Sequence, residues 1–374
     1  MAAGLRDLPD AALCTIFGHL DFFDRYCNAA LVCKAWRQAV DSPELLRDVI
    51  IDYSGRRSAS SAASLRRLRA LPRWLRRRAQ HVQIFTLQSC PGGPLAPYHQ
   101  SKPSGGCAAC LHTMSVVTAG GELELLDVYF GWVHSSMQPP ILSTWLSSSS
   151  LQSLHYGGYN HATVKVASLE GLPALRELSL YTEHGAVRLG DGEEAGGSGP
   201  CPPATLTRLM IEGRREEGLP LQVRALSNLA QLTFVESFFK ATDYNPLQQL
   251  SSSLRRLELF RTSSALPAVL PQLTLREALV IRTVGKIANS EVLGASLAAL
   301  TRLTCLEVDG STDVALPAEL NALSRLQRLS WNTAFECAHA QLVPVPGGAW
   351  LRSVRHRPSL SIEFVGRPML PGRL

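Results

Sequence analysis

The sequence predicts an α/β protein in two parts. A small N-terminal module of three helices precedes a solenoid of stacked units, with a parallel sheet on its concave side and helices or irregular turns on its convex side. Three observations carry that prediction. The pattern L-x-x-L-x-L returns at a spacing of about 25 residues through most of the chain, inside the range of repeat architectures. Residues 5–49 break that rhythm and space their apolar side chains by three and four, the period of a helix face. The composition, 45% hydrophobic but only 7% aromatic over 374 residues, asks for a large core built from aliphatic side chains.

The same numbers exclude several classes. Too apolar for wholesale disorder, the chain has neither a basic start leading into an apolar run nor any stretch near the ~20 apolar residues that span a bilayer, so secretion and membrane insertion are disfavoured. Nine cysteines, most of them isolated, then point to reduced thiols in cytosol or nucleus. The net charge of +6 is local in origin. Between Asp52 and Glu122 there is no acidic residue, while nine arginines and Lys102 give that stretch +10 and leave +6 − 10 = −4 for the rest. A basic segment on an acidic body, without an aromatic stacking series, is not the stripe of a nucleic-acid reader.

The N-terminal module begins with Leu13, Ile16, Phe17 and Leu20 on one face of a helix that Pro9 opens in its first turn. Asp21, with Asp24 three residues on, approximates a capping box for a second short helix, and Cys33 to Val40 can form a third. Leu8, Ile16, Phe17, Leu20, Val32 and Trp36 offer more apolar surface than so small a bundle can enclose, so part of it should face a partner.

After this module comes the repeat. Strong copies stand at Leu175-Leu178-Leu180, Leu206-Leu209-Ile211, Leu229-Leu232-Phe234, Leu254-Leu257-Leu259, Leu303-Leu306-Val308 and Leu326-Leu329-Trp331. Weaker ones stand at Val82-Phe85-Leu87, Leu123-Leu126-Val128, Leu151-Leu154-Tyr156, Leu275-Ala278-Val280 and Leu351-Val354-His356. Leu-Pro pairs at Leu219-Pro220, Leu266-Pro267 and Leu316-Pro317 lead the helical half of three units. One unit cannot bury its leucines alone, whereas stacked units line them into a continuous core. This resembles an irregular leucine-rich repeat domain. Two segments interrupt it, 88–121 and 185–203, and their Gly, Pro and Ser content reads as surface insertion with local disorder.

The N-terminal segment resembles an F-box. Leu8-Pro9, Leu13, Ile16-Phe17, Leu20, Asp24-Arg25, Val32-Cys33-Lys34 and Trp36-Arg37 match that family's pattern in order, spacing and residue type, with Leu45-Leu46 standing where an aromatic is usual. The resemblance implies docking on a Skp-type linker of a cullin–RING ubiquitin ligase through Leu8, Pro9, Leu13, Ile16, Phe17, Leu20, Val32, Cys33 and Trp36. Of these, Ile16, Phe17, Leu20 and Trp36 are expected to be partly exposed in the free chain. It also implies a C-terminal repeat domain that selects a protein substrate. The expected boundaries are 1–50 for the F-box, 51–70 for a basic linker or first helix, 71–364 for about ten or eleven repeats and 365–374 for a tail.

Smaller signals are weighed on their chemistry. Cys107 and Cys110, followed by His112, lack the second ligand pair of a structural zinc site and read as reduced thiols in an exposed loop, so no metal is expected. The Arg-rich run from Leu65 to Arg78 places Leu65, Leu68, Leu71 and Leu75 on one side, as the convex half of the first repeat with solvated guanidinium groups. The remaining use for those arginines is contact with an acidic partner surface or an anionic ligand. Neither a Gly-rich phosphate loop nor a hydrolase or zinc-protease motif is present, so no catalytic residue and no cofactor are expected.

Strand alternation sends the repeat leucines inward and leaves Asp127, Tyr129, Phe130, His155, Glu177, Tyr181, Glu212, Glu236, Glu258, Phe260, Arg261, Glu307 and Asp309 on the concave face. That acidic, aromatic-studded list favours a basic protein partner. The function expected is a non-catalytic substrate receptor of a Skp–cullin–F-box ligase. The competing expectation is a repeat scaffold or small-molecule sensor whose F-box serves its own turnover.

Overall fold

The structure is a computed structural model that describes residues 8–52, 61–90, 105–130, 146–158, 164–166, 169–182, 185, 187–189, 203–213, 221–236, 246–250, 252–262, 266–283, 290–310, 317–333 and 361–363. The chain divides into two compact units, 1–205 and 206–374.

The first unit opens with helix α1 (Asp10–Gly18), entered through Pro9 in extended conformation with Asp10 in its first turn. Asp21 accepts a hydrogen bond from the Asp24 amide at 2.8 Å, the cap expected for the second helix. The chain then winds as a π-turn over Asp24–Ala29 before α2 (Ala30–Val32). Cys33 is fully extended, which ends α2, and its sulfur accepts the Trp36 amide at the start of α3 (Lys34–Val40). A short α4 (Pro43–Leu46) follows, which the sequence reading did not contain. Leu13, Phe17, Ala29, Ala30, Ala39 and Val40 form the core of this module. Tyr26 ties it together by donating its hydroxyl to the Val40 carbonyl at 3.0 Å, and burial pushes its ionisation well above the ordinary phenol range.

The sheet begins immediately afterwards. Strand β1 (Asp48–Asp52) pairs in parallel with β2 (Ile84–Cys90), so the repeats open earlier than the boundary expected at 71. Between them lies α5 (Ser61–Leu75), with Leu68, Leu71 and Leu75 buried as its 3-4 spacing requires. Next come α6 (Gly105–Thr118), β3 (Leu125–Phe130), β4 (Ser153–Gly158), β5 (Val164–Val166), β6 (Glu177–Thr182) and β7 (Val187–Leu189). Strands β1, β2, β3, β4 and β6 are neighbours in that order, all parallel, and β5 pairs with β7 as a separate ribbon.

Both expected insertions contain structure. In 88–121, α6 buries Cys110, Met114 and Val117 and packs on α5. The Cys107/Cys110 pair therefore lies on a helix rather than in an exposed loop, and Cys110 is disulfide-bonded where reduced thiols were expected. In 185–203, Val187 and Leu189 are buried on β7, two apolar residues at strand spacing inside a Gly-rich stretch.

The second unit repeats one motif: β8 (Arg208–Gly213), β9 (Gln231–Glu236), β10 (Arg256–Thr262), β11 (Ala278–Thr283), β12 (Cys305–Gly310), β13 (Arg328–Thr333) and β14 (Ser361–Glu363), parallel and adjacent in sequence order. Convex segments are single 3-10 turns at Leu221–Ala225, Leu270–Gln272 and Ala318–Ala322, a short α7 (Pro246–Gln249) and one longer helix, α8 (Ser290–Ala299). One backbone device sets the register from strand to strand. A carbonyl just before each strand receives two consecutive amides of the next, as Ala230 O receives Arg255 and Arg256 N at 2.8 and 3.0 Å. Leu232, Leu257, Leu279, Leu306 and Leu329 stack at one level and are all buried. Burial of each such side chain contributes about 1.5–3 kcal/mol.

Two registers differ from expectation. In β11 the inward residues paired with Leu257 and Leu259 are Leu279 and Ile281, not Ala278 and Val280. Every residue from Ala278 to Ile281 is apolar and buried, so the run has no alternation to read. The last described strand is Ser361–Glu363, which pairs with β13, whereas Leu351-Val354-His356 lies outside the described residues.

Candidate partner-binding surfaces

The N-terminal module splits its apolar residues between core and surface. Leu13 and Phe17 are buried, and Phe17 meets the Trp36 ring edge-on at 5.1 Å. Phe17 is thus a core residue of the module and not the partly exposed anchor expected of it. Leu8, Leu20, Cys33 and Trp36 are half-buried and Pro9 is exposed. Ile16 at 43%, Val32 at 55% and Leu31 at 69% exposure are the large apolar side chains the module leaves in water. Leu31 was not expected. Its signal was present, since in Ala29-Ala30-Leu31-Val32 the two small residues face the core and leave the two large ones outside.

The Arg-rich helix α5 and the turn that follows it clamp this module to the first repeat. Arg78 makes a bidentate bond to Asp41, Nε to Oδ1 at 2.9 Å and Nη2 to Oδ2 at 2.7 Å, and lies 4.9 Å over the Trp74 ring. Trp74 in turn packs edge-on against Phe22 and Tyr26, at 5.1 and 4.5 Å, and Arg67 lies over Phe23. Those two guanidinium groups are structural rather than simply solvated, while Arg66, Arg69, Arg73 and Arg77 are exposed as expected.

The concave face differs between the units. In the first, one row across the strands reads Thr86, Asp127, His155, Ser179, and the next reads Gln88, Tyr129, Gly157, Tyr181. Tyr129 and Tyr181 belong to strands two apart, about 9.6 Å at ordinary sheet spacing. Their rings nevertheless approach to 5.7 Å, over Gly157, which has no side chain to keep them apart. A Cβ at Gly157 would meet the Tyr181 carbonyl oxygen at 2.5 Å. His155 lies 3.8 Å from Glu177 and 3.3 Å from the Ser153 hydroxyl. Partial burial raises the Asp127 carboxyl above the ordinary range, against a lowering pull from His155. Phe130 does not belong to this face: it is 2% exposed and packs inward against Tyr156.

In the second unit two of the acids expected to greet a basic partner, Glu258 and Glu307, are already bonded to arginines. Glu258 accepts from Arg256 Nε at 2.6 Å and from the Thr233 hydroxyl at 2.9 Å. Glu307 accepts two guanidinium bonds from Arg282, which also lies 5.0 Å over the Phe260 ring. On β8 to β13, strand parity places Arg208, Arg256, Arg282 and Arg328 on the same face as Glu212, Glu258, Glu307 and Asp309, four of each sign. Arg282 was missed because the β11 register was read one residue off. Glu236 shares the parity of Leu232 and Phe234, and the concave position of β9 is Val235; the side chains of Glu236 and Arg261 lie outside the described residues.

Among the described residues no group of three or more potential metal ligands occurs, and no helix is long and apolar enough to cross a membrane. The F-box domain family matches residues 5–48. No curated protein matches the chain in sequence. Similar solved structures include an internalin of Listeria monocytogenes, at 14% identity over 72% of this chain and 88% of that one with a TM-score of 0.32. A plant peptide hormone receptor in complex with a peptide gives 14% over 68% and 46% with a TM-score of 0.27. A leucine-rich repeat protein of Leptospira interrogans gives 13% over 88% and 98% with a TM-score of 0.21. At these scores the likeness carries no weight, and the assignment of the repeats rests on the ladder of parallel strands and stacked leucines.

Proposed function

From the premise that this chain is an F-box/leucine-rich repeat protein, we infer a protein-interaction adaptor that serves as the substrate receptor of a Skp–cullin–F-box ubiquitin ligase. The observation that carries this reading is the exposure of Ile16, Leu31 and Val32 on a module that buries Leu13, Phe17 and Val40. Apolar side chains of that size at a surface favour a protein partner, and in an F-box that partner is a Skp-type linker. The adaptor contributes proximity: it holds a substrate lysine beside a ubiquitin-loaded conjugating enzyme brought by other subunits, and performs no bond-making itself. Such ligases work in cytosol and nucleus, which is where this reading places the chain.

The substrate docks, in this reading, on the concave face of the first unit. Asp127 and Glu177 supply negative charge there, Tyr129 and Tyr181 supply an amphipathic aromatic surface, and no lysine or arginine occupies the concave positions of β1, β2, β3, β4 and β6. A basic segment with an apolar anchor fits that chemistry.

The test is a pull-down of a recombinant Skp-type linker by the full chain. Ile16→Asp combined with Val32→Asp is expected to abolish it while the circular dichroism spectrum stays unchanged. Each buried apolar anchor typically contributes ~2 kcal/mol or more at such an interface. Undiminished capture by the folded double variant rejects the linker assignment.

A further inference from the structure

Among the described residues, strand β1 ends the sheet of the first unit and has a strand partner on one side only. The Arg47 carbonyl receives the amides of Gln83 and Ile84, at 2.9 and 3.0 Å, which fixes the phase of the ladder. In parallel pairing of that phase, Val49 and Ile51 turn their amides and carbonyls toward β2, and those of Asp48, Ile50 and Asp52 point outward. No described residue meets the outward amide and carbonyl of Ile50. An edge of this kind is a template for one more strand.

The same three residues present their side chains together. Burial along β1 alternates, with Val49 and Ile51 in the core and Asp48, Ile50 and Asp52 exposed, Ile50 at 56%. A groove of about 640 Å³ opens here, lined by Phe22, Phe23 and Tyr26 of the F-box and by Asp48, Ile50 and Asp52 of the strand. Arg25 also lines it, with its guanidinium turned to the carbonyls of Leu20 and Leu45, both at 3.0 Å. The groove therefore combines an open backbone edge, an aromatic lining and an acid–aliphatic–acid stripe.

We propose that this groove takes an extended basic peptide segment of a partner protein, which adds to β1 as a further strand. The segment carries an aliphatic residue beside Ile50 and a lysine or arginine two positions away, facing Asp48. Main-chain hydrogen bonds supply the affinity, and the alternating side chains supply the selectivity. A second copy of this chain is the wrong occupant, because antiparallel pairing of two β1 edges about Ile50 sets Asp48 against Asp52 twice, and like charges directly opposite destabilise a strand pair. The proposal goes beyond the ligase reading and does not depend on it.

The experiment uses the full chain and two capped, dye-labelled peptides, Thr-Lys-Thr-Ile-Thr-Lys-Thr and its Glu counterpart, followed by fluorescence anisotropy. Saturable binding of the basic peptide alone is expected. Ile50→Pro removes the outward amide without touching the ladder to β2 and should weaken binding about tenfold, as should Asp48→Lys. Amide hydrogen exchange at Ile50 should slow when the basic peptide is added to the unsubstituted chain, a readout that needs no variant to fold. Equal binding of both peptides overturns the proposal, as does unchanged Ile50 exchange at saturation. Basic-peptide binding that appears only after residues 1–7 are deleted assigns the groove to the chain's own N-terminus and also overturns it. So does a dimer, by sedimentation, that Ile50→Pro dissociates. Linker capture is read in parallel, so failure here and failure of the ligase reading give different results.

Discussion

The concave faces of the two units are built by the same strand alternation and end with different chemistry. In the first, Asp48, Asp52, Asp127 and Glu177 stand on strand positions that include no lysine or arginine. In the second, each described bond of Glu258 and Glu307 that involves a charged group runs to an arginine on its own or the neighbouring strand. The lesson is that counting acids along a face overstates its field, because cross-strand partners spend the charge before any ligand arrives. A face whose acids are matched by arginines on the same strands is stiffened by them.

The sharpest way to break this comparison is at Gly157, whose row position in the second unit is held by side chains such as Val235 and Phe260. Gly157→Ala would drive a Cβ into the Tyr181 backbone and part the two tyrosines. It is expected to cost about 1–3 kcal/mol in chemical denaturation. An unchanged midpoint would mean that the close approach of the rings does not depend on the missing side chain.

Charge reversal comes next. Asp127→Lys with Glu177→Lys should weaken binding of a lysine octapeptide by roughly 30-fold at low salt, about 2 kcal/mol, with most of the effect in association rate. Glu258→Lys with Glu307→Lys should leave that binding nearly unchanged and lower stability instead. The reverse ranking, read by calorimetry and stopped flow, would move the docking surface to the second unit.

A smaller effect is expected at Arg282. Arg282→Gln removes both guanidinium bonds to Glu307 and the stacking on Phe260, for a partly exposed pair worth about 0.5–1 kcal/mol. It should also give the second unit measurable affinity for the lysine octapeptide. No gain in affinity would mean that Glu307 is not what the arginine holds back.

The smallest effect tests Asp127. Burial raises its folded pKa above the unfolded value, so the folded chain binds more protons across that window and stability falls as pH rises through it. The penalty is absent below the unfolded carboxylate range and complete above the folded pKa. Asp127→Asn should therefore raise the melting temperature slightly at pH 7 and leave it unchanged well below the carboxylate range. An equal rise at both pH values would point to packing rather than ionisation.

Most of the strand ladder was legible, because Leu257, Leu306 and Leu329 recur at the spacing a stacked unit needs and each is buried where the pattern puts it. The register of β11 was not, since a run of four buried apolar residues carries no alternation. On the N-terminal module, Phe17 was expected to be partly exposed and is buried, while the exposed Leu31 had been given no role. Helical spacing marks which residues share a face, but the π-turn over Asp24–Ala29 rotates the following residues by an amount no period encodes. The helix α6 and the strand β7 were hidden in Gly-rich segments, because their apolar residues gain a partner only when α5 and β5 lie beside them.

The sequence by itself determined the F-box pattern, the repeat and the side of each strand on which leucines are spent, all local in period and set by which residues can leave water. Only the tertiary structure decided which arginines meet Glu258 and Glu307, which arginines clamp α5 to the module through Asp41 and Trp74, and which described strand is left with an open edge. The physical reason is range. A hydrophobic period is written in neighbours three or four residues apart, whereas the partners of Glu307, Asp41 and β1 are separated from them by a whole repeat and are fixed by stacking.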